Sequence, residues 1–274
     1  MENWTGTLRL DVEDRLGKTV AENVYFQGAL KVMRPVYHDE SGQACYYILN
    51  PGGGYLDGDC YKVQISLKEQ ARLTLTTQSA TKVYKTPNTP AYQITEIYLQ
   101  AGSYLEYIPD PLIMYRHARY KQKNVVRMEK GATFLYSDII TPGWSPDGEQ
   151  FSYDKLQLIN EIYIDDELVT FDHIKLNPAE QNMEAIGYME GYSHLGSMIV
   201  VGEQTTTDLL DRLFNAINTN EKDCKVGLSL LPVKGFTLRV LANSTQAVER
   251  IFTECQNIIS EEWFNTKPCF LRKY

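Results

Sequence analysis

Apolar side chains recur at every second position through residues 1–200, and this period of two constrains the fold more than any other feature of the chain. In "GTLRLDV", Leu8, Leu10 and Val12 alternate with polar neighbours. In "YKVQISLKEQARLTLTT" the same rhythm places Val63, Ile65 and Leu67, then Ala71, Leu73 and Leu75. "YQITEIYLQAGSYLEYIPD" holds two such runs around Ala101-Gly102, and "INEIYIDDELVTFDHI" reads as a hairpin turning at Asp165-Asp166. Successive side chains of a strand point to opposite faces, so the pattern predicts strands with one buried and one wet face, most simply antiparallel. Turn signals recur about every ten residues, the spacing of a sandwich or barrel.

The period changes near the C-terminus. In "TTTDLLDRLFNAINTN" the residues Leu209, Leu210, Leu213, Phe214 and Ile217 share one helical face, with Thr207 and Asp208 at its start as the cap. "NSTQAVERIFTECQNIISEEW" repeats the pattern with Ser244 as cap, and "VGLSLLPVKGFTLRVLA" between them reads as two strands around Lys234-Gly235. The expectation is a mostly β protein with two amphipathic α-helices near the C-terminus. No repeat, low-complexity segment or linker divides the 274 residues, so residues 1–274 are read as a single domain.

Composition narrows the function. A net charge of −8 carries no basic excess for nucleic acid. The start lacks a basic and an apolar signal region, and no run of about 18 apolar residues occurs, so neither secretion nor membrane insertion is expected. The five cysteines are scattered without a CxxC pair, which predicts reduced thiols and a cytoplasmic setting. The 19 tyrosines suit either a partner surface or a β-rich core, and the core is the expectation. "ENVYFQG", residues 22–28, resembles the tobacco etch virus protease site but continues a strand pattern, and is read as native sequence.

Local catalytic patterns are missing. "NPGGGYLDGDCY" (residues 50–61) has no Lys-Ser/Thr after Gly58 and opens a strand rather than a helix, so it is a glycine turn and not a phosphate loop. Asp57 and Asp59 alone do not supply a calcium loop. His38, His117, His173 and His194 form neither HxH nor HExxH, and "HLGSM" is no nucleophile elbow. Asp165, Asp166 and Glu167 suit a charged hairpin tip. Asp138 with Glu149 as an acid/base pair of a hydrolase, and exposed tyrosines of a glycan- or protein-binding module, are the alternatives.

A larger pattern is more specific. "PGGGYLDGDCYKVQISLKEQARLTLTTQSATKVYKT", Pro51 to Thr86, resembles the signature of the UreD (UreH) family of urease accessory proteins. Its marks here are Gly53, Gly58, Thr77, Ser79, Lys82 and Tyr84. "VYFQGALKVMRPVY", "LEYIPDPLIMYRHARY", "FLYSDIITPGW" with the following "GEQF", and the closing "FLRKY" resemble further family segments in the right order.

That resemblance implies two layers of strands, antiparallel or mixed, as a sandwich or a helical stack, with two helices. It implies a non-catalytic scaffold without a tightly bound cofactor. Such a scaffold binds UreF, reaches the GTPase UreG through UreF, docks on urease apoprotein and passes nickel(II) along an internal passage. A transit path needs weak, separated ligands, which carboxylates supply. Matched to the family, Asp59, Asp138, Glu149 and Asp172 are the candidate nickel-path acids, transient contacts rather than a cage. Cys60 is expected to pack. The family's arginine after the Asp138 segment is replaced by Gly143-Trp144. Either another residue such as Arg116 or Arg119 then supplies the charge or the local role differs, and Trp144 is a possible partner contact.

Overall fold

The computed structural model describes residues 4–220 and 223–264, which hold seventeen strands and two helices. The chain opens with a hairpin of β1 (Gly6–Arg15) and β2 (Lys18–Gly28), followed by the short β3 (Lys31–Val32) and β4 (Ala44–Leu49). The "ENVYFQG" residues lie inside β2, with Phe26 opposite Leu8 and Val24 opposite Leu10, as expected of native strand sequence.

The strands then alternate between two layers. The first layer receives β5 (Cys60–Leu67), β8 (Ala91–Leu99) and β11 (Arg119–Met128). The second receives β6 (Arg72–Thr77), β9 (Tyr104–Ile108) and β12 (Thr133–Ile140), with the short β7 (Thr81–Val83) and β10 (Leu112–Met114) beside them. A hairpin of β13 (Lys155–Ile164) and β14 (Glu167–Leu176) closes the first layer, and β15 (His194–Val201) returns to the second. Helix α1 (Thr207–Asn220), a hairpin of β16 (Lys225–Leu230) and β17 (Gly235–Ala242), and helix α2 (Thr245–Phe264) follow. The first layer has seven strands in the order β14-β13-β11-β8-β5-β1-β2 and the second has ten.

The architecture is therefore a two-layered stack of strands, and the mixed form is the one found. β1, β5, β8, β11 and β13 pair parallel in the first layer, as do β4, β6, β9 and β12 in the second. Antiparallel pairing is left to the hairpins and to β15 with its neighbours. From β4 to β12 each turn of the chain lays one strand in each layer, so the long strands that follow one another there are not partners. The alternation that suggested antiparallel pairing survives because the outer face of the seven-stranded layer stays wet. There Lys62 and Lys123 reach across strands to Glu96 and Glu161, at 3.1 and 2.8 Å.

The main core lies between the layers, and a second core lies outside the ten-stranded layer. Leu135, Met198, Val200, Leu238 and Val240 pack there against Leu209 and Leu213 of α1 and Val248, Ile251 and Phe252 of α2. Helix α1 is capped one residue earlier than expected, by the Thr206 hydroxyl accepting from the Leu209 amide at 3.1 Å. Helix α2 is capped by Ser244 as expected, at 3.2 Å from the Ala247 amide. Eight tyrosines, Tyr46, Tyr55, Tyr61, Tyr104, Tyr107, Tyr120, Tyr136 and Tyr153, are buried, which accounts for much of the tyrosine content. Among the described residues, Cys45, Cys60, Cys224 and Cys255 form no disulfide with one another; Cys269 and the "FLRKY" tail lie outside the described residues.

Helix α2 approaches β15 so closely that only glycine fits at 196: an added Cβ would stand 2.4 Å from Val248 and 2.9 Å from Phe252. Gly196→Val is predicted to lower stability by roughly 1–3 kcal/mol through overpacking. Val248→Ala in the same chain should return part of the loss. Urea unfolding checks this, and a Gly196→Val chain as stable as the parent contradicts it.

Candidate functional site between the layers

Strand register builds the site. In the seven-stranded layer Val63, Thr95, Asn124, Asn160 and Asp172 stand opposite one another on successive strands. They share the inward face, and the row turns from apolar to polar at Thr95. A parallel inward row holds Tyr61, Gln93 and Gln122. Facing them, the ten-stranded layer sets Asp138, Ser197 and Arg239 in one row across β12, β15 and β17. The hydrophobic interior thus contains a polar zone assembled from residues far apart in sequence.

Its hydrogen bonds run in three chains. Tyr120 donates to Gln122 Oε1 at 3.1 Å, Gln122 Nε2 donates to the Tyr136 oxygen at 2.8 Å, and the Tyr136 hydroxyl donates to Asp138 Oδ2. Tyr55 donates to Gln93 Oε1, whose Nε2 donates to Thr95 Oγ1 at 3.1 Å. On the far side Asn124 Nδ2 donates to Asn160 Oδ1 at 2.8 Å, and Asn160 Nδ2 donates to Asp172 Oδ2 at 3.3 Å. Arg239 closes the set across the layers, one nitrogen on Asp172 Oδ1 and another on Ser197 Oγ. Of the buried oxygens of the first layer that have no partner, Asn124 Oδ1 and Thr170 Oγ1 lie on the inward phase of their strands. They are acceptor positions for water or a hydrated cation.

A cavity of about 60 Å³ leads to Asp138, with Gly53, Thr77, Ser79 and Lys82 at its outer end and Gln93, Tyr107 and Gln122 deeper. It has room for a few waters. At the outer end Thr77 donates to Asp110 Oδ2 at 2.8 Å, and the Tyr84 hydroxyl lies 3.5 Å from the Gly53 carbonyl. An added Cβ at Gly54 would meet the Tyr84 ring at 2.6 Å, so glycine is required where this turn touches β7. The stretch is a turn, as expected, with Gly53 and Gly58 both at positive φ.

The candidate acids separate. Asp138 and Asp172 face the polar zone. Asp59 lies just before β5, outside the cavity lining, accepting from Thr5 at 3.2 Å, from the Leu56 amide at 2.7 Å and from Tyr61 at 3.1 Å. The Tyr61 ring stacks at 4.0 Å on Tyr55, which ties Asp59 to the interior. Glu149 is on an outer loop, 66% exposed, and Arg116 holds it at 2.7 Å together with Asp147. The structure does not bring Glu149 to Asp138, so the two carboxylates of the hydrolase alternative do not converge. Arg116 thus serves Glu149, while Arg119 donates to the Thr86 carbonyl. The cation that meets an interior acid is Arg239. Cys60 turns its sulfur to the Gly58 carbonyl at 3.5 Å. Trp144 is half exposed in an aromatic row with Tyr115 and Tyr84, at centroid spacings of 4.9 and 4.7 Å.

Sequence reasoning missed Gln93, Gln122, Asn124, Asn160 and Arg239. The available signal was an amide or charge on the apolar phase of a strand, as in "YKQKNVV", where Gln122 and Asn124 share the phase of Tyr120 and Val126.

Enclosure pushes the Asp138 carboxyl from its ordinary 3.8 up to about 7, the Tyr136 hydrogen bond and the Arg239 charge opposing the rise and Asp172 adding to it. Burial raises Tyr55, Tyr107, Tyr120 and Tyr136 as well, so these phenols stay neutral. Because the folded state holds the Asp138 proton more tightly, this group favours folding fully below the ordinary carboxyl range, and that contribution is lost as pH rises to about 7. Asp138→Asn is therefore predicted to be more thermostable than the parent at pH ~8, with the gap shrinking toward pH ~5.5. A pH-independent gap in Tm contradicts this.

Comparison with known proteins identifies the family. The profile of the UreD urease accessory protein family matches residues 5–273. The chain is 50% identical over 274 residues to urease accessory protein UreD of Lachnoclostridium phytofermentans, covering 100% of both chains. It is 44% identical over 275 residues to that of Staphylococcus aureus, covering 100% of this chain and 99% of the relative. A match of this extent, over nearly the whole chain, has one consequence: the chain belongs to the UreD family of urease accessory proteins.

Proposed function

We propose that this protein is a non-catalytic scaffold of urease maturation that binds UreF and urease apoprotein, reaches UreG through UreF, and lets nickel(II) pass through the polar zone between its two β layers. The observation that carries the reading is the placement of Asp138 and Asp172 on facing inward rows, with a cavity reaching Asp138 from the Gly53, Thr77 and Ser79 end.

The chemistry suits cargo. Nickel(II) accepts oxygen donors, and the zone offers two carboxylates, amide oxygens such as Asn124 Oδ1 and room for water. The phenols stay protonated and supply no anionic ligand, so anionic oxygens for a cation come from the carboxylates: Asp172, paired with Arg239, and Asp138, which gives up its proton near pH 7. Separated acids hold an ion briefly, where a ring of converging ligands would retain it. Asp59, just before β5, extends the acidic route to the turn. Trp144, Tyr115 and Tyr84 form an aromatic surface near the cavity mouth, a fitting contact for a partner protein. A cytoplasmic location follows from the same reading. Among the described residues no helix is long and apolar enough to cross a membrane.

Urease activity and nickel content in cells carrying the structural and accessory genes test the proposal. Asp138→Asn and Asp172→Asn are each predicted to lower nickel loading at least about tenfold by removing a charge from the route, with UreF still co-purifying. Glu149→Ala, out on the surface loop, should load like the parent. Full loading by an Asp138→Asn, Asp172→Asn double variant contradicts the interlayer route.

A further inference from the structure

The ion pair that joins the two layers at Asp172 points to a role for Arg239 beyond stapling them. Three observations bear on it. Arg239 spans the layers, from β17 to Asp172 on β14, and its second nitrogen binds Ser197. Ser197 stands directly opposite both Asp138 and Arg239, so this guanidinium is the next side chain beyond Asp138 and Ser197 in their row. Its other neighbour in the row is Gly227 on β16, which carries no side chain and around which an added Cβ would meet nothing within 4 Å. β16 is the outermost strand of that layer. The Arg239 side chain, 33% exposed, therefore touches both the polar zone and solvent.

An arginine here cannot ligate a metal. It stays charged, offers only donors and has no lone pair to give. It already occupies the place of a cation, against Asp172 and within electrostatic reach of Asp138. A divalent ion that approaches Asp172 meets a positive charge in its position. We propose that Arg239 is a tethered counter-cation, a positioning residue that a divalent ion must displace at Asp172 and that displaces the ion in turn, so that the end of the polar zone releases its cargo instead of retaining it. This rests on the reading of the zone as a cation route.

The exchange balances without redox or covalent change: the ion gains carboxylate oxygens as the guanidinium swings to solvent, and the reverse step restores the pair. Gly227 leaves the space for that swing. Asn160 keeps Asp172 in place through its other oxygen while Arg239 is away. Ser197 offers the returning guanidinium a second acceptor.

Equilibrium dialysis of the full-length protein against nickel(II) chloride tests this. Arg239→Gln keeps amide donors for Asp172 and Ser197 and loses the charge. It is predicted to bind nickel(II) at least about tenfold more tightly than the parent, because an opposing charge at contact distance is removed. Arg239→Lys should stay close to the parent, and the gain should vanish in the Arg239→Gln, Asp172→Asn double variant. Unchanged or weaker binding by Arg239→Gln, with native circular dichroism, overturns the proposal and leaves Arg239 as a structural bolt. If Arg239→Gln does not fold, Ser197→Ala decides: it frees the guanidinium from one anchor and should tighten nickel(II) binding in the same direction, while no change overturns the idea. The two readings fail separately. Loss of urease loading in Asp138→Asn and Asp172→Asn with parental binding by Arg239→Gln sinks the counter-cation alone. Intact loading in those variants with tighter binding by Arg239→Gln sinks the route and leaves cation competition at Asp172 standing.

Discussion

Parallel register is the constraint from which the rest follows. When β5, β8, β11 and β13 stack in step, each inward position becomes a column across the layer, and the chemistry of a column is set by one phase of each strand. Most columns are apolar and make the core. The column of Gln93 and Gln122 and that of Thr95, Asn124, Asn160 and Asp172 are not, and a buried polar group without a partner is costly. Most of these groups pair within or between the columns and then across the layers, ending on Arg239, and Asn124 Oδ1 is left over. A polar seam through a hydrophobic interior is thus a direct result of where four strands place one or two residues each.

The strands were legible in the sequence because their period of two is physical: one face is wet, the other buried. The Asp165-Asp166 hairpin was legible for a similar reason, since both residues sit at positive φ as a tight turn requires. The pairing was not legible. Alternation says which face is buried but not which strand lies alongside, and a stack that alternates between layers separates sequential neighbours. Strands of the ten-stranded layer, such as β12 and β15, are covered on both faces where the helices lie, and "FLY" and "MIVV" are buried throughout.

The site was half legible. Family likeness pointed to Asp138, Asp172 and Asp59, and to Gly53, Thr77, Ser79, Lys82 and Tyr84, which gather at or near the cavity mouth. It also pointed to Glu149, which lies outside on a loop with Arg116. Arg239 was hidden because its partner is 67 residues away and in the other layer. Spacing along a chain carries no information about a contact made across two sheets. At Gly143-Trp144, where the family likeness led to the expectation of an arginine, Trp144 is half exposed, and the cation paired with the interior Asp172 is Arg239.

The central claim is that a cation enters between the layers and meets Asp138 and Asp172. Anomalous scattering at the nickel edge from crystals of this protein in complex with UreF, soaked in nickel(II), tests it most directly. The account predicts a peak between the two β layers within bonding reach of one of these carboxylates. A complex that gathers nickel only on its outer surface, with the interlayer zone empty at saturating metal, would contradict it.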